Sequence, residues 1–214
     1  MNRQLTQVVV LRTTQILASC ALLLGAALAA QADPVISIGD PVTGDYYNEG
    51  SEVFPVQNIT SGAGNDTGYA YNWNFWLAPQ GELGAATINL QGSYDITGFN
   101  IQDTHNRGYY DRGTDGFSIA VSSDDVHFTT VLTGSFTQSQ WENLTPVNFT
   151  LGTPVVGQYV EFNVLSLYGG NNSGGLDELD VLGGSSSVPD GGLTAALLGG
   201  ALVGFQALRR KLPV

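Results

Sequence analysis

The chain of 214 residues contains a single cysteine, Cys20, which lies in an apolar stretch close to the N-terminus. If that stretch is removed during export, the remaining chain has no thiol. It can then form no disulfide, cannot hold zinc through cysteine and cannot be a thiol enzyme. Packing and hydrogen bonds must therefore hold the fold, and a domain of about 150 residues is large enough for that.

Basic residues are also scarce in the middle of the chain. Eighteen of the 19 acidic residues lie between residues 33 and 187, but only two basic residues, Arg107 and Arg112, lie there, which gives a net charge of −16. Nucleic acid is excluded as a partner because this region has almost no cations to neutralise phosphates. Such a surface attracts divalent cations, although charge alone identifies no binding site.

No acidic residue precedes Asp33, and residues 16–30 are almost entirely small or apolar. Ala30-Gln31-Ala32 has the A-x-A form of a signal-peptidase site. This order predicts a secretory signal peptide over residues 1–32. Leu17-Ala18-Ser19-Cys20 also matches a lipoprotein box, but ten more small or apolar residues follow the cysteine, which favours the signal peptide.

The C-terminal residues 188–214 combine a proline and glycine motif, an apolar run and a basic end. The motif consists of Val188, Pro189, Asp190 and Gly191, and the basic end begins with Arg209 and Arg210. Between them, a helix of 16 residues over 193–208 would span about 24 Å, which is short of a hydrocarbon core of about 30 Å. The sequence therefore predicts a hydrophobic helix that anchors the chain transiently in the inner membrane, with the basic end cytoplasmic.

This tail resembles the PEP-CTERM class of bacterial sorting signals, most closely the variant that begins Val-Pro-Asp-Ser-Gly, with Gly191 in place of the serine. The resemblance implies a partner, an exosortase-like membrane transpeptidase that cleaves near the proline motif. It also implies export to the cell surface or extracellular matrix. An ordinary C-terminal anchor is the alternative.

Residues 33–184 show apolar residues in alternation with polar ones and no amphipathic helical stretch. This period of two predicts half-buried antiparallel strands and an all-β sandwich or barrel. Gly98 is a possible bulge, residues 122–125 predict a hairpin turn, and the serines of 185–187 predict a flexible linker. The alternating sets are Ala86, Ile88 and Leu90; Phe117, Ile119 and Val121; Val160, Phe162 and Val164; Leu179 and Val181.

Several short motifs follow one another over residues 50–182. They are Trp76-Leu77-Ala78, Arg112-Gly113-Thr114, Ser122-Ser123-Asp124-Asp125, Tyr159-Val160-Glu161-Phe162 and Gly175-Leu176-Asp177-Glu178. Their order resembles the discoidin domain, also called the coagulation factor 5/8 type C domain, and the resemblance implies an antiparallel jelly-roll β-sandwich of the galactose-binding-like kind. Three positions depart from the family pattern: Ser61 replaces an acid, Asp125 a glycine and Glu161 an arginine.

Many members of this family hold one structural Ca²⁺, which prefers six to eight oxygen ligands. The resemblance implies that Glu178 is the late ligand, and we expect Asp66 to substitute for the missing early acid with Asn58 nearby. In the alternative interpretation, Glu178 only accepts hydrogen bonds from the loop backbone and Asp66 is solvated.

The segment 103–110 is the best candidate for ligand contact, because it offers His105, Asn106, Arg107 and Tyr109 within one loop. Planar polar groups can bind sugar hydroxyls, and an aromatic ring can cover the C–H face of a sugar. Trp73, Trp76 and Tyr168 could line the same cleft, although we expect Trp76 in the core. We further expect Arg112 to pair with a local carboxylate and His127 to be an exposed strand residue. Ordinary loop chemistry is the alternative for this segment.

Two hypotheses follow for function. The first is an exported surface module that binds extracellular polysaccharide, with a possible structural Ca²⁺. The second is a structural surface or matrix protein without a specific ligand. We expect no catalysis, because the sequence has no nucleophile-elbow motif and its spacing does not show two converging carboxylates.

Overall fold

The computed structural model describes residues 33–64, 66–68, 73–169 and 173–186. The predicted signal peptide and the sorting-tail residues Val188, Pro189, Asp190, Gly191, Arg209 and Arg210 lie outside the described residues. Within the described ranges, no helix is long and apolar enough to cross a membrane.

The described chain folds almost entirely into β-strands, with one 3₁₀ helix, Val56–Thr60, and one short α-helix, α1, Gln138–Glu142. Two strands are long, at 18 residues each, and they form the centre of the main sheet. The strands are β1 Val42–Thr43, β2 Asn48–Glu49, β3 Glu52–Val53, β4 Trp76–Leu77, β5 Ala85–Gln102, β6 Gly116–Ser122, β7 Thr129–Ser135, β8 Val147–Val164, β9 Gly175–Leu176 and β10 Glu178–Ser185.

The main sheet has the strand order β1-β5-β8-β6-β7. β1 pairs with the first half of β5, and β10 pairs with the second half of the same strand. All of these pairs are antiparallel. Two smaller antiparallel pairs, β2 with β3 and β4 with β9, complete the described strands. This arrangement confirms the predicted all-β, antiparallel jelly-roll architecture.

The bulge predicted at Gly98 is present. The register between β5 and β8 shifts between Ile96 and Gly98, and the register between β5 and β10 shifts opposite the same place, between Leu182 and Gly183. A Cβ atom at Gly98 would collide with the carbonyl oxygen of Phe149. Glycine is therefore required here because the neighbouring backbone approaches too closely for a side chain.

The apolar members of each predicted alternating set are buried in one core. Phe117 stands at its centre, with its ring 5.3 Å from that of Phe162 and 5.2 Å from that of Phe136. Each fully buried ring of this size stabilises the fold by about 1.5–3 kcal/mol. Trp76 is fully buried and donates its indole N–H to the Asp45 carbonyl at 3.0 Å, which confirms its assignment to the core.

Helix α1 fixes the position of the loop that contains the candidate ligand residues. Thr137 caps the helix, and its side chain and that of Gln140 form a reciprocal capping box. This cap holds Trp141, whose indole N–H lies 3.0 Å from the carbonyl oxygen of Thr104 and 3.1 Å from that of Arg112. Both ends of the loop 105–112 are thereby attached to one buried side chain.

The turn between β6 and β7 forms where residues 122–125 predicted it. Asp125 has a φ of +62°, a left-handed conformation that favours glycine and that aspartate tolerates. His127 is exposed, as expected, but it precedes β7 instead of lying on a strand. Its Nδ1 lies 2.8 Å from Asp124 Oδ2. The Asp124 carboxylate therefore closes the turn and holds the His127 side chain there.

Candidate functional site

A cleft of 260 Å³ opens beside the loop 105–112. Its walls combine aromatic rings with polar and charged groups, which is a composition suited to a small polar ligand. One wall comes from the segment of β2 and β3, and the other comes from the loop. We call this site the cleft; it is lined by Tyr47, Glu52, Phe54, Trp73, Asn106, Tyr109, Asp111 and Arg112.

The first wall stands on a second, smaller hydrophobic cluster that is separate from the main core. Phe54 stacks on Trp73 with the ring centroids 5.3 Å apart and meets Tyr47 edge to face at 5.8 Å. Phe75, fully buried, packs beneath both Phe54 and Trp73. Mutual packing of these rings gives the wall a rigid aromatic surface.

The loop that forms the second wall is organised around the buried carboxylate of Asp66. This carboxylate accepts the hydroxyl of Thr104 at 2.9 Å and the backbone N–H groups of His105 and Arg107 at 3.2 Å and 2.9 Å. Asp66 itself has a φ of +44° and donates its own N–H to Asp177 at 2.7 Å. The carboxylate therefore holds the loop in place from below.

His105 faces Asp66 and not the cleft. Its Nδ1 lies 2.6 Å from Asp66 Oδ2 and 2.8 Å from the Gly108 amide nitrogen. We assign the proton to Nδ1, because two acceptors cannot approach within 2.6 Å without one, and Nδ1 then cannot accept the Gly108 N–H. The ring of His105 also packs against that of Tyr110, with the centroids 4.7 Å apart.

The other three predicted ligand residues lie at the cleft or at its rim. Asn106 and Tyr109 line it, and Tyr109 is 72% exposed. The guanidinium carbon of Arg107 lies 5.1 Å from the ring centroid of Trp73, which is itself a lining residue. Of the three side chains that the sequence suggested as additional lining, Trp73 alone lines this cleft, since Trp76 is buried and Tyr168 stacks on Trp141 at 5.0 Å.

Arg112 departs from the expected pairing with a local carboxylate. Its guanidinium lies over the ring of Tyr47, 4.9 Å from the centroid, and within the described residues no carboxylate forms an ion pair with it. Its Nε is buried without a hydrogen-bond partner there. Within these residues, an aromatic ring takes the place of the expected carboxylate beside Arg112.

The two carboxylates of the cleft hold neighbouring side chains in position. Glu52 accepts the indole N–H of Trp73 at 2.8 Å, and Asp111 accepts the side-chain N–H of Asn106 at 2.8 Å. Each acid therefore orients a residue that a ligand would contact.

Glu178 lies beneath the loop of residues 61–63. Its carboxylate accepts the N–H groups of Gly62 and Ala63 at 3.0 Å and 3.1 Å and the hydroxyl of Ser61 at 3.3 Å. Burial raises the pKa of Glu178 to about 7, with the charge of Asp180 adding to the rise and the backbone donors opposing it.

Two further buried carboxylates stand beside Asp66. Burial, followed by the charge of Asp66, raises the pKa of Asp177 to about 8. Burial also raises the pKa of Asp103 well above its usual range, against the opposing effect of the Thr114 and Thr104 N–H groups. One oxygen of each carboxylate has no hydrogen-bond partner among the described residues.

The three side chains named for calcium do not converge on one point. Glu178 and Asp66 are surrounded by N–H and O–H donors, as described above, and the Asn58 amide nitrogen donates to the carbonyls of Trp73 and Phe75 at 2.8 Å and 3.0 Å. Asp66 is buried and not solvated, contrary to the alternative interpretation. As arranged here, these residues do not fit a calcium ion, which needs oxygen lone pairs directed at it, and calcium binding stays a prediction for experiment.

Sequence reasoning missed half of the cleft. Tyr47, Glu52, Phe54 and Asp111 line it, but none of them was singled out. Asp111 lies only one residue beyond the candidate segment and could have been included. The other three come from β2, β3 and their neighbours, and no local signal connects them to residues 105–112.

Comparison with known proteins establishes the family. The model of the F5/8 type C domain matches residues 43–179, and the chain belongs to this family. The VPDSG-CTERM motif matches residues 187–212, which confirms the resemblance seen in the C-terminal tail. No curated protein matches the chain.

Solved structures share the fold at low sequence identity. CBM32-3 of a family 31 glycoside hydrolase from Clostridium perfringens is 18% identical with a TM-score of 0.53, and the match covers 68% of this chain and 90% of that one. The family 32 CBM of C. perfringens NanJ, in complex with galactose, is 15% identical with a TM-score of 0.52, and the match covers 70% and 97%. The CBM32 of AlyQ, in complex with 4,5-unsaturated mannuronic acid, is 16% identical with a TM-score of 0.50, and the match covers 71% and 98%.

Proposed function

We propose that the chain is an exported carbohydrate-binding module and that the cleft is its glycan site. The observation that carries this proposal is the pairing of an aromatic wall with planar polar groups across a cleft of 260 Å³. A cavity of this size suits one sugar ring at the end or side of a larger glycan. Neighbours of the same fold in complex with galactose and with unsaturated mannuronic acid support it.

Different side chains of the cleft have distinct roles in this proposal. The exposed ring of Tyr109 covers the C–H face of the sugar, where the hydrophobic effect and ring polarity favour contact. Asn106 and Arg112 bind hydroxyl oxygens through directed N–H groups. The rigid packing of Trp73 on Phe54 lowers the entropic cost of binding because the ring is already in position.

We propose binding and not catalysis at this site. Glycoside hydrolysis requires one carboxylate as a proton donor and a second as a base or nucleophile. Both cleft acids, Glu52 and Asp111, instead accept hydrogen bonds from Trp73 and Asn106, which gives them a positioning role.

The two ends of the chain complete the proposal. The signal peptide directs export, and the tail holds the protein in the inner membrane until an exosortase-type transpeptidase processes it. The module would then act at the cell surface or in the extracellular matrix. The match of residues 187–212 to the VPDSG-CTERM motif supports this route.

The test is glycan binding by the full chain in a non-ionic detergent, measured by calorimetry against a panel of soluble oligosaccharides. Tyr109→Ala should weaken binding by about tenfold, since an aromatic ring packed on a ligand contributes roughly 1–1.5 kcal/mol. Tyr109 is suited to this test because it is 72% exposed, so its loss leaves the core intact.

Val126→Ala is the matched control, because Val126 is equally exposed at 72% but lies in the β6–β7 turn outside the cleft. Binding that Tyr109→Ala weakens and Val126→Ala leaves unchanged would support the glycan site. A panel without any binding would contradict it and favour the alternative, a structural surface or matrix protein without a specific ligand.

A further inference from the structure

Both basic residues of the region 33–187 lie at the cleft. Arg112 is a lining residue, and Arg107 lies over Trp73, another lining residue. The same region contains 18 acidic residues. A domain with so few cations concentrates its positive charge at one place, and that place is the candidate glycan site.

Each guanidinium group lies over an aromatic ring. The guanidinium carbon of Arg112 is 4.9 Å from the ring centroid of Tyr47, and that of Arg107 is 5.1 Å from the ring centroid of Trp73. In the described part of the chain, neither group forms an ion pair, and Arg112 Nε is buried without a partner. An aromatic ring accepts no conventional hydrogen bond from the N–H fork of a guanidinium, so the fork keeps its capacity to bind a planar anion.

In the described part of the chain, the acids of the cleft form no ion pair with these arginines. Glu52 accepts the indole N–H of Trp73, and Asp111 accepts the amide N–H of Asn106. These contacts hold the carboxylates on neutral donors, so the two guanidinium groups keep N–H groups for a ligand.

We propose that the cleft selects acidic sugars and that a uronic acid carboxylate binds the N–H fork of Arg112, with Arg107 adding positive charge at the rim. This inference rests on the proposed function and narrows its substrate class. A carboxylate accepts two parallel N–H bonds from a guanidinium, which gives both strength and orientation. The sugar ring then lies against the exposed ring of Tyr109.

The net negative charge of the domain distinguishes this proposal from non-specific binding of polyanions. A net charge of −16 over residues 33–187 repels polyanions that have no matching site. Non-specific ion exchange therefore does not account for binding to a polyuronate, whereas a local ion pair at the cleft does. Salt should act weakly on such binding, because it screens the long-range repulsion as well as the short-range attraction.

The experiment compares oligogalacturonate with its carboxyl-reduced form, which has the same linkage but no charge. We expect the full chain in non-ionic detergent to bind the acid form at least about tenfold more tightly, as one bidentate charge-assisted pair provides. Arg112→Gln should remove this preference, and Arg112→Lys should restore only part of it because lysine has no fork. Arg107→Gln, at the more exposed rim, should reduce it by a smaller factor.

Thr153→Glu, at an exposed position of β8 outside the cleft, is the control because it changes the net charge by the same amount as Arg112→Gln. Equal affinity for the acid and reduced forms would overturn the acidic-sugar inference and leave the proposed function standing. Absence of binding to both forms and to the wider panel would overturn both. Tighter binding of a sulfated galactan than of oligogalacturonate would overturn the assignment to a carboxylate.

Discussion

The carboxylate of Asp66 accepts the backbone N–H of Arg107 at 2.9 Å, across 41 residues of sequence. It also binds the Thr104 hydroxyl and the His105 N–H and lies 2.6 Å from His105 Nδ1. One buried side chain therefore sets the backbone path of the loop that carries the candidate ligand residues. The sequence suggested Asp66 as a metal ligand, but its contacts are those of a residue that positions the loop.

Asp66→Ala should destabilise the protein by about 3 kcal/mol, because it leaves several buried donors without acceptors. The melting temperature should fall by roughly 6–12 °C. Amide hydrogen exchange at residues 104–107 should increase more than exchange in β6, since the loss is local. Unchanged exchange in this loop would show that Asp66 does not hold it.

Asp103 predicts a pH-dependent loss of stability. Burial raises its pKa in the folded state above the value of about 3.9 in the unfolded chain. Between these values the folded state binds more protons at Asp103 than the unfolded state does, so the contribution of Asp103 to stability is greatest below the unfolded pKa and is lost as the pH rises. Asp103→Asn keeps an acceptor for the Thr104 and Thr114 N–H groups without the charge, so it should flatten this fall and raise the melting temperature at pH 8.

Asp124→Asn provides a control of opposite sign, measured by the same thermal melts extended from pH 8 down to about pH 2, below the unfolded pKa of about 3.9. The N–H groups of His127 and Val126 and the His127 ring hold the pKa of Asp124 below its usual range. The contribution of Asp124 to the stability of the fold is therefore present above its pKa in the unfolded chain and is lost as the pH falls below that value. Asp177 and Glu178, whose pKa values burial also raises, contribute to the same fall, so Asp103→Asn should reduce it without removing it. A fall of the same size in Asp103→Asn and in the wild type would show that Asp103 does not contribute.

Asp125→Gly should stabilise the protein by roughly 0.5–1 kcal/mol, because glycine adopts a φ of +62° without the steric cost that a Cβ imposes. Ser123→Gly in the same turn is the comparison. Ser123 has no positive φ, so glycine at this position should only raise the entropy of the unfolded chain and thereby destabilise the protein. Chemical denaturation of the two variants checks this. Equal destabilisation by both would mean that the left-handed conformation of Asp125 costs nothing.

Glu178→Gln should destabilise the protein by about 1–3 kcal/mol, because an amide nitrogen would replace one of the oxygens that accept the Gly62 and Ala63 N–H groups. We expect the same loss of stability in EDTA and in Ca²⁺, because the Glu178 carboxylate accepts hydrogen bonds from the loop backbone. Thermal melting of the wild type, Glu178→Gln and the exposed Glu82→Gln measures both effects. A Ca²⁺-dependent rise in melting temperature that Glu178→Gln abolishes would instead support the calcium site that the family resemblance implies.

Much of the fold could be predicted from the sequence because strand burial is a local property. Side chains of a strand alternate between two faces, so Phe117, Ile119 and Val121 had to share one face. The bulge at Gly98 and the turn before β7 were predicted for the same reason, since each depends on the conformation of one or two residues. The order of short motifs then identified the family.

The cleft could be predicted only in part. The sequence grouped His105, Asn106, Arg107 and Tyr109 because they are neighbours in the chain, but the structure turns His105 inward to Asp66. It also brings Tyr47 and Phe54 from a distant segment to the opposite wall. No sequence pattern encodes these contacts, because they depend on where two loops meet after the sheet has formed.

The sequence by itself determined an acidic, all-β domain with a VPDSG-CTERM motif and predicted its export, since charge, apolar runs and alternation are properties of the chain read in order. Tertiary structure alone decided that both arginines lie beside aromatic rings at one cleft and that Asp66 holds the loop. The reason is physical: a side chain far away in sequence supplies each of these partners, and only the folded backbone brings such groups within contact distance.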